Sequence, residues 1–145
     1  MHESTRDAHL YNPAVDIERL AQVFTHHPEV TAVYLFGSYA EGLQRPDSDF
    51  DLAILPATPD ARKHKLDVLA DLVEAGFENV DLVYLDSKDI VLKHQAVRQN
   101  NVIYHTPAFN RGATYSRIVR EYLDFLPCLK VQRQAFKRRL QNAQR

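Results

Sequence analysis

The chain has 145 residues, 45% of them hydrophobic and 26% charged, with a formal net charge of −1. These are the values of an ordinary globular domain, and they exclude disordered, collagen-like and low-complexity chains. The single cysteine, Cys128, excludes an intramolecular disulfide and a cysteine-cluster zinc site, and it suits a reducing cytoplasm.

Asn12-Pro13 reads as an N-cap followed by proline in the first helical turn. Val15, Leu20, Val23 and Phe24 then predict an amphipathic helix that ends at Pro28. Residues 30–36 (VTAVYLF) are β-branched and aromatic, so they predict a buried strand, broken by Gly37-Ser38. A polar segment leads through Arg45-Pro46 to a second strand over 49–55, closed by Pro56. Leu66, Leu69, Leu72 and Val73 predict a helix over 60–75. A third strand covers 79–85, a helix 88–99, and a short edge strand 101–105. From Tyr115 the pattern is helical to the end, interrupted at Pro127, which should kink or split the helix. Strands alternating with helices give an α/β or α+β domain, a small mixed sheet flanked by helices. The expected division is a body over 1–110 and a C-terminal helical extension over 111–145. No run of about 18 uncharged apolar residues and no signal-peptide pattern is present, so neither a membrane span nor secretion is expected.

The near-zero net charge hides an asymmetry: residues 1–110 carry −8 and residues 111–145 carry +7. Ile118, Tyr122, Phe125, Leu129, Phe136 and Leu140 form an apolar stripe along the basic extension, with a gap at Arg133. Apolar and basic residues together suit a protein partner or a second copy of the chain. Aromatics in the extension do not recur at base-stacking intervals, which argues against direct nucleic-acid binding.

Three acids interrupt apolar strands: Asp49, Asp51 and Asp81. Alternation along a strand puts positions 49 and 51 on one face. Side-by-side carboxylates repel, and a divalent cation is the direct compensation; oxygen ligands suit Mg²⁺. If the second and third strands are neighbours, Asp81 joins the same face, and such a trio can hold two metals for phosphoryl transfer. Gly37-Ser38 at the end of the first strand allows close backbone approach and offers hydroxyl and N–H donors to a phosphate. No Walker lysine follows the glycine, so a P-loop is not expected. DxD or GS alone is common in turns, but GS, ten residues, DxD and a later strand Asp form a rare conjunction.

The segment LFGSYAEGLQRPDSDFDLAIL resembles the GS-x10-DxD signature of the DNA polymerase β-like nucleotidyltransferase superfamily, and its size and spacing are similar to the minimal nucleotidyltransferase (MNT) family. The resemblance spans about residues 14–105. It implies a nucleotidyltransferase fold and, as family members commonly do, an antitoxin role against a HEPN-domain ribonuclease toxin by transfer of AMP from ATP to a toxin tyrosine. Carried over position by position, it implies that Gly37 and Ser38 bind the triphosphate and that Asp49 and Asp51 bind Mg²⁺, two ions in all. It further implies that Asp81 is the third carboxylate, assisting deprotonation of the attacking hydroxyl, and that Ser48 is a typical neighbour of the metal pair. Many relatives have arginine where this chain has Glu41, so the basic contact falls to Arg45 or is absent. The rival expectations are transfer to a small molecule such as an aminoglycoside and an antitoxin that acts by docking alone.

Other chemistry-bearing residues read as structural. His26-His27 reads as a partner for the end of the first helix. His64, His94 and His105 show no metal-ligand spacing, Tyr104 reads as a core-edge residue, and Cys128 reads as an inert thiol.

Overall fold

In the computed structural model, which describes residues 13–37 and 50–143, the elements follow in chain order. They are α1 (Pro13–Phe24), β1 (Val30–Phe36), β2 (Phe50–Pro56), a 3-10 segment (Pro59–His64), α2 (Lys65–Glu74), β3 (Val80–Tyr84), α3 (Ile90–Val97), β4 (Val102–His105) and α4 (Arg111–Ala143). The strands form one mixed sheet in the order β3-β2-β1-β4. β1 pairs antiparallel with β2 and with β4, and β2 pairs parallel with β3 through the crossover that contains α2.

β1 is apolar at every position but Thr31 because it lies inside a sheet covered on both faces. On one face Val33 and Leu35 pack with Phe50, Leu52, Ile54, Leu82 and Tyr84 beneath Leu20 and Phe24 of α1 and Val68 and Leu72 of α2. On the other, Tyr34, Phe36 and Ala53 meet Ala96 and Val97 of α3 and Ile118 of α4. Tyr104 on the edge strand β4 stacks on Phe24, ring centroids 6.1 Å apart.

The helix expected over 60–75 differs at its start and at two of its four apolar positions. Its start is a 3-10 segment, and the buried stripe is Ala61, Val68 and Leu72. Leu66 is 79% and Val73 52% exposed. Leu69 and Leu72 face the core as their spacing predicts, whereas Leu66 and Val73, a third of a turn or more from the Val68–Leu72 line, point away from it. α2 ends in a Schellman turn: Gly76, at φ +102°, donates to the Val73 carbonyl, and Phe77 donates to that of Leu72 at 2.8 Å. Arg19 of α1 donates to the Ala75 carbonyl at this turn and lies over the Phe77 ring.

His27 is not simply a partner for the end of α1. Its buried ring lies 3.1 Å from Glu29 Oε1 and 2.7 Å from Asp71 Oδ2, fastening the approach to β1 onto α2. His94 stacks flat on Tyr122 at 3.7 Å, and beside it Lys93 Nζ donates to Glu121 Oε2 at 2.9 Å. These contacts hold α3 against α4.

α4 corrects two expectations. It starts four residues before Tyr115, where the Ala113 N–H donates to Asn110 Oδ1 at 3.0 Å. It also continues through Pro127 as one helix. Proline removes the bond to the carbonyl four residues back, here Leu123, which lies on an exposed turn where water can take the bond. Thr114 and Ile118 are buried, whereas Val131, Phe136 and Leu140 are exposed. Among the described residues no helix is long and apolar enough to cross a membrane.

Candidate active site

The antiparallel register sets Phe36 opposite Asp51, and the parallel register sets Asp51 opposite Asp81. Cross-strand partners share a face, so Phe36, Asp51 and Asp81 form one row across three strands. The next row on this face is Tyr34, Ala53 and Val83, covered by α3 and α4. The acids thus stand one pleat beyond the helical cover, at the rim. Asp51 is half-buried and Asp81 exposed on an edge strand. Rim placement keeps the carboxylates solvated although their strand neighbours Leu52 and Leu82 are core residues.

Gly37 turns the chain directly beside this row. Its φ is +73°, and a Cβ placed there would lie 2.1 Å from Asp51 Oδ2. Both the left-handed conformation and the close approach require glycine. The first part of the GS element is therefore in van der Waals reach of the DxD element, although 13 residues separate Gly37 from Asp51. Ser38, Arg45, Ser48 and Asp49 lie outside the described residues.

Among the described residues no group of three or more metal-ligating side chains gathers. Asp51 and Asp81 supply two carboxylates on one face, and Asp49 is the next acid in sequence. Hard oxygen donors, beside a glycine cradle that a Cβ would fill, fit Mg²⁺ better than a softer metal.

One row in from the acids, beneath α3 and α4, lies Tyr34, whose buried hydroxyl has no hydrogen-bond partner among the described residues. Burial raises its pKa, and the charges of Arg111 and Arg117 oppose that rise. Arg111 also donates to the carbonyl of Asn100, which sits at φ +53°, at 2.8 Å. This bond ties the start of α4 to the turn before β4. Arg111 and Asn100 carry no motif that marks them in the sequence; the one available signal is the tolerance of asparagine for positive φ.

The family described as "Polymerase beta, Nucleotidyltransferase" matches residues 18–108. The protein adenylyltransferase MntA of Shewanella oneidensis is 37% identical over 79 residues, which is 54% of this chain and 57% of that protein. The match therefore spans little more than half the length of that relative. A toxin–antitoxin crystal structure with AMP-PNP is 29% identical, with a TM-score of 0.63, over 83% of this chain and 94% of that one. A complex of tri-AMPylated Shewanella oneidensis HEPN toxin with MNT antitoxin is 26% identical, with a TM-score of 0.61, over 86% and 95%. The mixed sheet, the paired acids and the family match over the sheet-bearing body agree, and the chain belongs to the polymerase β nucleotidyltransferase family.

Proposed function

We propose that this chain is a cytoplasmic, ATP- and Mg²⁺-dependent protein adenylyltransferase. In this reading it is the antitoxin of a HEPN-domain ribonuclease toxin, and its acceptor is a tyrosine hydroxyl of that toxin. The observation that carries the reading is the in-register pair Asp51–Asp81 beside Gly37, with Asp81 exposed at the sheet edge. An open edge admits an acceptor carried on another protein. The likeness to antitoxins solved with a HEPN toxin and with AMP-PNP supports the choice of partner and donor.

Asp49, Asp51 and Asp81 would hold two Mg²⁺ ions, which when bound supply positive charge to the phosphate oxygens and the leaving pyrophosphate. The Gly37 backbone lets the triphosphate approach closely, and the Ser38 hydroxyl donates to it. Arg45 takes the role of the cation that Glu41 displaces, and Ser48 flanks the acids. Asp81 orients the acceptor hydroxyl and takes its proton. The freed oxygen bonds to the α-phosphorus as the bond from that phosphorus to pyrophosphate breaks. AMP stays on the tyrosine.

The test is the intact mass of the HEPN-domain protein after incubation with this chain, ATP and Mg²⁺. A gain in AMP units is expected, and the Asp49→Asn/Asp51→Asn variant should abolish it with the fold retained. A tight complex that blocks the toxin without any mass gain would replace transfer with docking. Neither binding nor gain would redirect the search to small-molecule acceptors.

A further inference from the structure

Among the described residues two surfaces lack a cover, and their chemistries are complementary. The first is the distal half of α4. Leu129, Arg133, Phe136 and Leu140 follow helical spacing along one face, and Phe136 is 60% exposed. Lys130, Lys137, Arg138 and Arg139 surround them, with no carboxylate between Phe125 and Ala143. The second is the outer face of α2, beside the groove of about 550 Å³ that Asp71 and Glu74 line with Gln22 and Val23 of α1 and His26 after it. Along α2, Leu66, Ala70 and Val73 make an exposed apolar stripe beside Asp67, Asp71 and Glu74.

The two surfaces cannot meet within one copy. α1 and α2 cover one face of the sheet, α4 packs on the other, and its distal half continues as an unbroken helix. We propose that the distal half of α4 docks along the outer, exposed face of α2 in a second copy of this chain. Phe136 and Leu140 cover Leu66 and Val73, and Arg133, the polar gap in the stripe, meets Glu74. Charge selects the occupant: the distal half of α4 is basic with no carboxylate, and the α2 stripe is bordered by Asp67 and Glu74. Exchange of both helices about a two-fold axis closes the pair. α2 lies over the face opposite Asp51 and Asp81, so docking leaves the candidate active site open. This inference stands independently of the proposed function.

Light scattering on the full chain after size exclusion tests it. The wild type should show twice the monomer mass of 16.7 kDa, shifting toward monomer as salt is raised. Phe136→Asp, Arg133→Glu and Glu74→Arg should each give a folded monomer, since all three positions are exposed in a single copy, with a melting temperature that no longer depends on protein concentration. The double variant Arg133→Glu/Glu74→Arg should restore the dimer. A wild type that is monomeric at every concentration overturns the proposal, as does a dimer that ignores these changes or a charge swap that fails to restore it. A monomer whose Phe136→Asp variant loses its grip on the HEPN-domain protein also overturns it, and assigns the helix to that partner.

Discussion

Leu52 and Ile54 in β2, and Leu82 in β3, are almost wholly buried beneath α1 and α2. Asp51 and Asp81, one residue away on the same strands, stand at the rim of the opposite face. Strand alternation puts the acids on the other face, and their place beyond the α3/α4 cover keeps them at the rim, whereas Ala53 and Val83 on that same face are covered. Acids can therefore lie beside core leucines in sequence without sharing their environment.

That separation can be broken experimentally. The largest effect is expected at the acids: Asp81→Asn should lower AMP transfer by about 10²–10⁴-fold, the range for removal of a general base, with an unchanged denaturation midpoint. Its neighbour should behave oppositely. Leu82→Ala should cost about 2–5 kcal/mol of stability while the rate per folded molecule holds. If Asp81→Asn unfolds the protein, or Leu82→Ala slows the folded enzyme, the two faces are not independent.

α4 offers the same contrast along a single helix. Ile118→Ala should cost about 2–5 kcal/mol in urea denaturation, because Ile118 is fully buried against Tyr34 and Val97. Phe136→Ala in isolated monomer should stay within about 0.5 kcal/mol.

Gly37→Ala should cross the divide. The added Cβ meets the Asp51 carboxylate and the residue keeps a positive φ, so a stability loss of about 1–3 kcal/mol should accompany loss of transfer. In an Asp51→Ala background the stability cost should shrink, and a double-mutant cycle measures the coupling. Equal costs in both backgrounds would mean that backbone strain alone is responsible.

The smallest effect concerns pH. Burial first, and then the charge of Arg98, hold the His94 pKa below its ordinary 6.5. Between that lowered value and 6.5 the unfolded chain binds more protons than the folded one. The stability contribution is therefore complete above 6.5 and is lost as pH falls toward the folded value. His94→Phe, which keeps an aromatic ring against Tyr122, should flatten melting temperature against pH in this window.

Much of the body could be read from residue order. VTAVYLF is a strand to the residue, and the parity of Asp51 and Asp81 placed both acids on one face once β2 and β3 proved to be neighbours. The features that escaped depend on geometry with no local signature. α2 buries one side only, so Leu66 and Val73, apolar like Leu69 and Leu72, lie at the surface. Pro127 failed to divide α4 because its lost hydrogen bond falls on an exposed turn. His27 found its carboxylates 2 and 44 residues away, and only the second of these needed the fold. The approach of Gly37 to Asp51 likewise exists only after β1 and β2 have paired.

The parallel register of β2 and β3 has a consequence for assembly. A slip of β3 by one residue would turn every side chain to the opposite face. Asp81 would then enter the apolar layer beneath α2, and Leu82 and Tyr84 would leave it. A carboxylate without a partner in that layer costs several kcal/mol, far more than a misplaced leucine. The acid assigned to the proposed reaction thus also rejects misaligned strands, acting as a key that admits one alignment of the chain.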